Sequence, residues 1–240
     1  DVLIDMAFDK LLPQGAHPPL PNVRAPDAMG QLRAIYERTF AITGNSKGLA
    51  AAGPWKLGAG VCGNPQWRRK TLNLVTAVTF QRESTHLIQA GLGNISEAYL
   101  ESNRKTLQQI QQDVKQRIQQ INHRLGDEIL FSYGDPVYTP FHCLGVNANY
   151  LRKADIRDSC QLADFLLAGA GIESVELELV GIHQPGVRLN VASARINGRK
   201  SPDHADLLFD RLEVLMCDML HGLRYADALE RIGVTDQFER

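Results

Sequence analysis

The residues best suited to chemistry lie in a glycine-dense stretch, Gly44 to Gly63, that also holds Lys47 and Lys56. Glycines let backbone amides approach a phosphate, and lysines add the opposing charge. Lys47, Gly48, Lys56, Gly58 and Gly60 are therefore the candidate ligand-binding residues. The stretch carries no G-x-x-x-x-G-K-[ST] pattern and no Rossmann fingerprint, since the spacing Gly58 to Gly63 is followed by Asn64 rather than Lys. An irregular connecting loop is the competing reading.

Three further residues could act as acid, base or nucleophile. His142 and Cys143 sit together in YTPFHCLG, and Asp135 lies in the turn YGDP. Adjacent strand residues point to opposite faces, so His142 and Cys143 cannot pair as base and nucleophile. Asp before Pro is a common turn choice on structural grounds alone. Trp67, Arg68, Arg69 and Lys70 form the one basic cluster. Arg and Lys beside a ring can hold phosphate and stack on a base, and positive charge at a helix start invites an anion.

The four cysteines are far apart, with no CxxC and no Cys/His ligand spacing, so no metal site is expected. No motif calls for a cofactor. Scattered thiols suit a reducing compartment. No apolar run reaches the ~18 residues of a membrane span, so a cytoplasmic protein is expected. The chain opens on Asp1 rather than Met, which leaves room for a preceding segment. A formal net charge of −1 argues against general nucleic-acid or membrane-surface binding.

These residues must be positioned by the elements around them. Residues 1–26 read as an extended arm, because Pro13, Pro18, Pro19, Pro21 and Pro26 fix backbone angles and remove donors. Residues 27–128 read as a mainly helical half. Asp27 is the expected cap of a helix carrying Met29, Leu32, Tyr36 and Phe40 to about Thr43. A second helix is expected over 66–90, and a third over Asn94–Asp127. In the third, Leu107, Ile110, Val114, Ile118, Ile121 and Leu125 form an apolar face, with Gln108, Gln109, Gln111, Gln112, Gln116, Gln119 and Gln120 between them. Its 3-4-4 spacing indicates a straight helix packed on its own chain rather than a coiled coil.

Residues 129–240 read as an α/β half. Ile129–Tyr133 and Phe141–Val146 are expected strands, followed by a helix capped by Asp158 and ending at Gly169 or Gly171. ESVELELVGI and VRLNVASARI predict a hairpin with Leu179 opposite Leu189 and Leu177 opposite Val191. Ser201–Pro202 opens a long helix with Leu208, Leu212, Leu215, Met219 and Leu223 as its core stripe, and a short helix follows through Ala226–Ile232.

The expected fold is α+β: a helical N-terminal layer with a long central amphipathic helix, packed as one unit on a small βαββα sandwich with a mixed sheet. Function is expected to be that of a non-catalytic interaction protein, a subunit or adaptor with a protein partner or a second copy. One alternative is an enzyme acting on a phosphorylated or nucleotide-like small molecule through Gly44–Gly63. The other is a nucleic-acid-associated subunit using Arg68, Arg69 and Lys70.

Overall fold

The computed structural model describes residues 2–5, 12, 23–44, 58–77, 94–192 and 202–234. They fall into two compact units, residues 1–106 and 107–240. None of the described helices is long and apolar enough to cross a membrane.

The first unit holds strands β1 (Val2–Asp5), β2 (Arg24–Pro26), β3 (Leu32–Ala34), β4 (Thr39–Gly44) and β5 (Gly58–Cys62). β1 runs parallel to β4, which pairs antiparallel with β5. The helix expected from Asp27 is replaced by a β2–β3 hairpin and a short 3-10 turn, Ile35–Arg38. The Asp27 carboxylate accepts from the amides of Met29 and Gln31, at 2.9 and 3.0 Å, and so closes a turn. Gly30 completes that turn at φ 76°. TFAIT, β-branched and aromatic, has a partner strand on each side and goes to the sheet. Helix α1 (Pro65–Ala77) begins at Asn64, whose Oδ1 accepts from the amides of Gln66 and Trp67. Most of the Pro-rich arm and positions 78–90 of the second expected helix lie outside the described residues.

Helix α2 (Glu97–Leu125) is the long central helix, and the boundary between units falls within it. Leu107, Ile110, Val114, Ile118 and Ile121 are buried. Gln111, expected on the polar face, is buried as well. Its side chain donates to the carbonyls of Thr139 and Phe141.

The second unit continues with β6 (Leu130–Ser132), β7 (Phe141–Val146), α3 (Ala148–Lys153), α4 (Ser159–Ala170), β8 (Val175–Glu176), β9 (Gly186–Asn190), α5 (Pro202–Leu220) and α6 (Tyr225–Arg231). Its sheet has the order β6-β7-β9-β8. Every pairing in it is antiparallel, so the parallel pair lies in the first unit and not in this sheet, where mixed pairing was expected. Leu130, His142, Leu144, Val146, Val187 and Leu189 share one buried face. Leu162, Phe165 and Leu166 of α4, with Leu212, Leu215 and Met216 of α5, complete the core. α4 starts as expected, with Asp158 Oδ1 accepting from the Gln161 amide at 2.8 Å, and ends at Gly171, φ 64°.

The long hairpin does not form. β8 is two residues long and pairs Val175 with Arg188, after which Leu177–Val180 make a 3-10 turn closed by Gly181 at φ 84°. That turn buries Leu177 completely and leaves Leu179 73% exposed. β9 spends its other edge on β7, so the shift costs the sheet little.

The Asn122 side chain of α2 reaches the outer edge of β6. Its Oδ1 accepts from the amides of Ile129 and Leu130, at 3.2 and 3.0 Å, and its Nδ2 donates to the Leu130 carbonyl at 2.7 Å.

Candidate functional site

In the first unit, the parallel run of β1 and β4 sends both carboxyl ends to the same edge of the sheet. Asp5, the last residue of β1, pairs with Ile42, two residues before the end of β4. Gly44 pairs with Gly58, so the chain leaves β4 and re-enters β5 at one point. Carboxyl ends of parallel strands are the usual ligand edge of α/β sheets. Asp5 is not among the residues singled out in the sequence. The available signal was a short apolar run, VLI, stopped by a carboxylate.

Lys47, Gly48 and Lys56 belong to the stretch between Gly44 and Gly58, outside the described residues. Gly58 and Gly60 are not loop residues but members of β5. A Cβ on Gly60 would stand 2.9 Å from Phe40 Cζ, and one on Gly63 would stand 2.5 Å from the Tyr36 carbonyl oxygen. Close packing against Phe40 and Tyr36 therefore accounts for these two glycines.

His142 is 0% exposed. Its Nδ1 lies 2.8 Å from Gln111 Oε1 and its Nε2 3.0 Å from Ser132 Oγ. Burial, aided by the Lys115 charge, pushes its pKa down to about 4. It is a neutral core imidazole with both nitrogens engaged, and it cannot reach a substrate. Cys143 faces the other side of the sheet, half-buried and opposite Arg188. Burial raises its thiol pKa against the pull of Arg188, which leaves it protonated and a poor nucleophile. Asp135 is exposed and paired with Lys115. Trp67 is half-buried in the first turn of α1, and Arg68, Arg69 and Lys70 are exposed there. The Asn64 cap satisfies two of the first-turn amides without an anion.

In the second unit, a cleft of about 450 Å³ is lined by residues that include Arg188, Arg211, Phe141 and Ser174. The Arg188 guanidinium carbon stands 4.4 Å over the Phe141 ring, a cation–π stack that fixes its plane. Ser174 Oγ is enclosed and without a hydrogen-bond partner. Two guanidiniums and a hydroxyl suit a planar anion such as a carboxylate.

No family model matches the sequence. No curated protein matches it. Solved structures do. Cystalysin from Treponema denticola, which contains a pyridoxal 5'-phosphate cofactor, is 18% identical with a TM-score of 0.64, over 90% of this chain and 49% of that one. The aromatic aminotransferase from Pyrococcus horikoshii OT3 is 17% identical with a TM-score of 0.61, over 90% and 50%. The N-succinyldiaminopimelate aminotransferase from Mycobacterium tuberculosis is 19% identical with a TM-score of 0.60, over 89% and 49%. The chain thus has the fold of part of the pyridoxal-phosphate aminotransferases and C–S lyases, and spans about half the length of these chains. The expected non-catalytic subunit or adaptor is corrected by this result, because the chains that share its fold are enzymes.

Pyridoxal phosphate asks for a lysine amine, cationic or amide donors for its phosphate, and a carboxylate or guanidinium at its ring nitrogen. Among the described residues this edge carries Asp5 at the end of β1, while Ser46, Lys47 and Lys56 lie in the sequence between β4 and β5, outside the described residues.

Proposed function

We propose that this chain is part of a pyridoxal-phosphate-dependent enzyme that acts on an amino acid. The observation that carries the reading is the parallel β1–β4 pair, whose carboxyl ends bring Asp5 and the start of the Lys47 segment to one sheet edge. The fold likeness supports it. Of the expectations above it is nearest to the alternative of an enzyme acting on a phosphorylated or nucleotide-like small molecule through Gly44–Gly63, with the phosphorylated molecule now the cofactor and not the substrate. When bound, this cofactor supplies an electron sink that lets bonds at an amino acid's α-carbon break.

The chain's own residues divide the work by strand order. Lys47 follows the end of β4, next to the β1 strand that carries Asp5, and is assigned as the amine that holds the cofactor covalently. Asp5 is assigned to the ring nitrogen, where a carboxylate keeps a proton in place. Lys56 precedes β5, one strand further from Asp5, and is assigned to the phosphate with nearby backbone amides.

The test is borohydride reduction of the chain after saturation with pyridoxal 5'-phosphate, followed by digestion and mass spectrometry. Saturable labelling of the Lys47 peptide, lost in Lys47→Ala, is expected. Label spread over surface lysines and unchanged in Lys47→Ala overturns the reading.

A further inference from the structure

β6 and β7 part company before Phe141. Beyond the bond from the Tyr133 amide to the Cys143 carbonyl, at 2.9 Å, Gly134 turns the chain at φ 72°. Phe141, two residues before Cys143, therefore lies outside the β6 register, which pairs Leu130–Ser132 with Val146–Leu144. The Pro140 carbonyl accepts from the Val191 amide, just past β9. Backbone groups alternate in direction along a strand, so those of Phe141 turn to the β6 side. Side chains meet them there. The Phe141 amide donates to Thr139 Oγ1 at 3.2 Å, and its carbonyl accepts from Gln111 Nε2 at 3.0 Å. Gln111 is buried, and the same nitrogen also holds the Thr139 carbonyl at 2.7 Å. A side chain of α2 thus stands in for a strand partner.

What it holds in place is the Phe141 ring. The β7–β9 register pairs Phe141 with Asn190 and Cys143 with Arg188, so Phe141 and Arg188 are diagonal neighbours on one face. The guanidinium stacked on the ring keeps one plane, and that plane decides whether its N–H groups can meet both oxygens of a carboxylate. Glu173 also lines the cleft, so two guanidiniums stand against one carboxylate and the balance is positive. We propose that Gln111 is a positioning residue for this cleft: by holding the Phe141 backbone it keeps the ring under Arg188, and so sets the plane in which a carboxylate ligand is bound. The inference concerns the second unit alone and does not depend on the cofactor.

The experiment follows the Arg188 side chain by heteronuclear NMR on the full chain while acetate is added, with chloride as a spherical reference. In the parent, the ring current of Phe141 should shift the Arg188 side-chain protons upfield, and acetate should move the Arg188 Nε–H resonance saturably. Phe141→Leu should abolish the ring shift and weaken acetate binding about two- to fivefold, the scale of one half-exposed stack. Gln111→Leu should reduce the ring shift and weaken acetate to a similar extent. Its response to chloride, which reads charge alone, should stay as in the parent. Thr139→Val removes the acceptor for the Phe141 amide and leaves His142 untouched, so it carries the test where Gln111→Leu does not fold. Ring shift and acetate affinity equal to the parent's in these variants overturn the proposal. So does a weakened acetate affinity with the ring shift retained, or a parent chain with no saturable response to acetate.

Discussion

His142 Nδ1 lies 2.8 Å from Gln111 Oε1, so a glutamine of the long central helix fixes the tautomer of an imidazole in the sheet. The Gln111 amide nitrogen donates to the Thr139 and Phe141 carbonyls, which leaves its oxygen to accept from Nδ1–H. Nε2 then accepts from the Ser132 hydroxyl. Every polar atom of the trio has a partner only while the ring is neutral.

That arrangement makes stability depend on pH. The folded-state pKa of His142 is about 4, below its ordinary 6.5, so the unfolded chain takes up the proton first. The contribution is fully present above pH 6.5 and is lost as pH falls towards 4. The loss amounts to up to about 3 kcal/mol, at 1.36 kcal/mol per pH unit. Urea unfolding from pH 7 to 4 should show this slope, and His142→Gln should flatten it. An equal slope in the variant would place the titrating group elsewhere.

Gly186 admits no side chain. A Cβ there would stand 2.7 Å from the Leu144 carbonyl oxygen and 2.6 Å from Leu177 Cδ1, and the backbone oxygen cannot yield without breaking β7–β9 pairing. Gly186→Ala should lower stability by about 1–3 kcal/mol, as overpacking does. A midpoint in denaturant unchanged from the parent would refute it.

Asp158 caps α4 through the Gln161 amide. Asp158→Ala should cost about 1 kcal/mol, read as a lower Tm, and Asp158→Asn should recover most of it because the acceptor remains.

At the proposed cofactor edge, two substitutions separate attachment from chemistry. Lys47→Ala should abolish covalent loading. Asp5→Asn should still load on Lys47, while amino-acid turnover falls roughly 10²–10³-fold, the usual effect of removing one fixed electrostatic partner. Turnover unchanged in Asp5→Asn would remove Asp5 from the ring nitrogen.

Local chemistry was legible in the sequence where it decided the outcome by itself. The Leu107–Ile121 stripe, the Asp158 cap and the Pro202 start of α5 need only neighbours within a few residues. The errors share a cause in distant pairing. Asp27 has the same side chain whether it caps a helix or a turn, and only β1 and β5, far along the chain, claim Phe40–Ile42 for a sheet. Leu179 alternates correctly for a strand, yet the neighbouring Leu177 takes the buried place and a 3-10 turn carries Leu179 outward. Of the proposed site, lysines among glycines are readable locally as a candidate ligand loop, most of which lies outside the described residues, while Asp5 enters the proposal only through its strand's pairing with one about forty residues away, a separation that no local pattern encodes.

Asn122 acts as a molecular stopper. An edge strand offers open amides and carbonyls that template the addition of another chain, a first step towards fibrils. By taking both the amide and the carbonyl of Leu130, one side chain of α2 uses up two of the groups an incoming strand would need. At the opposite edge β8 is only two residues long. Among the described residues, the two edges of this sheet are thus a three-residue strand held at Leu130 by Asn122 and a two-residue strand, which leave little open backbone for strand addition.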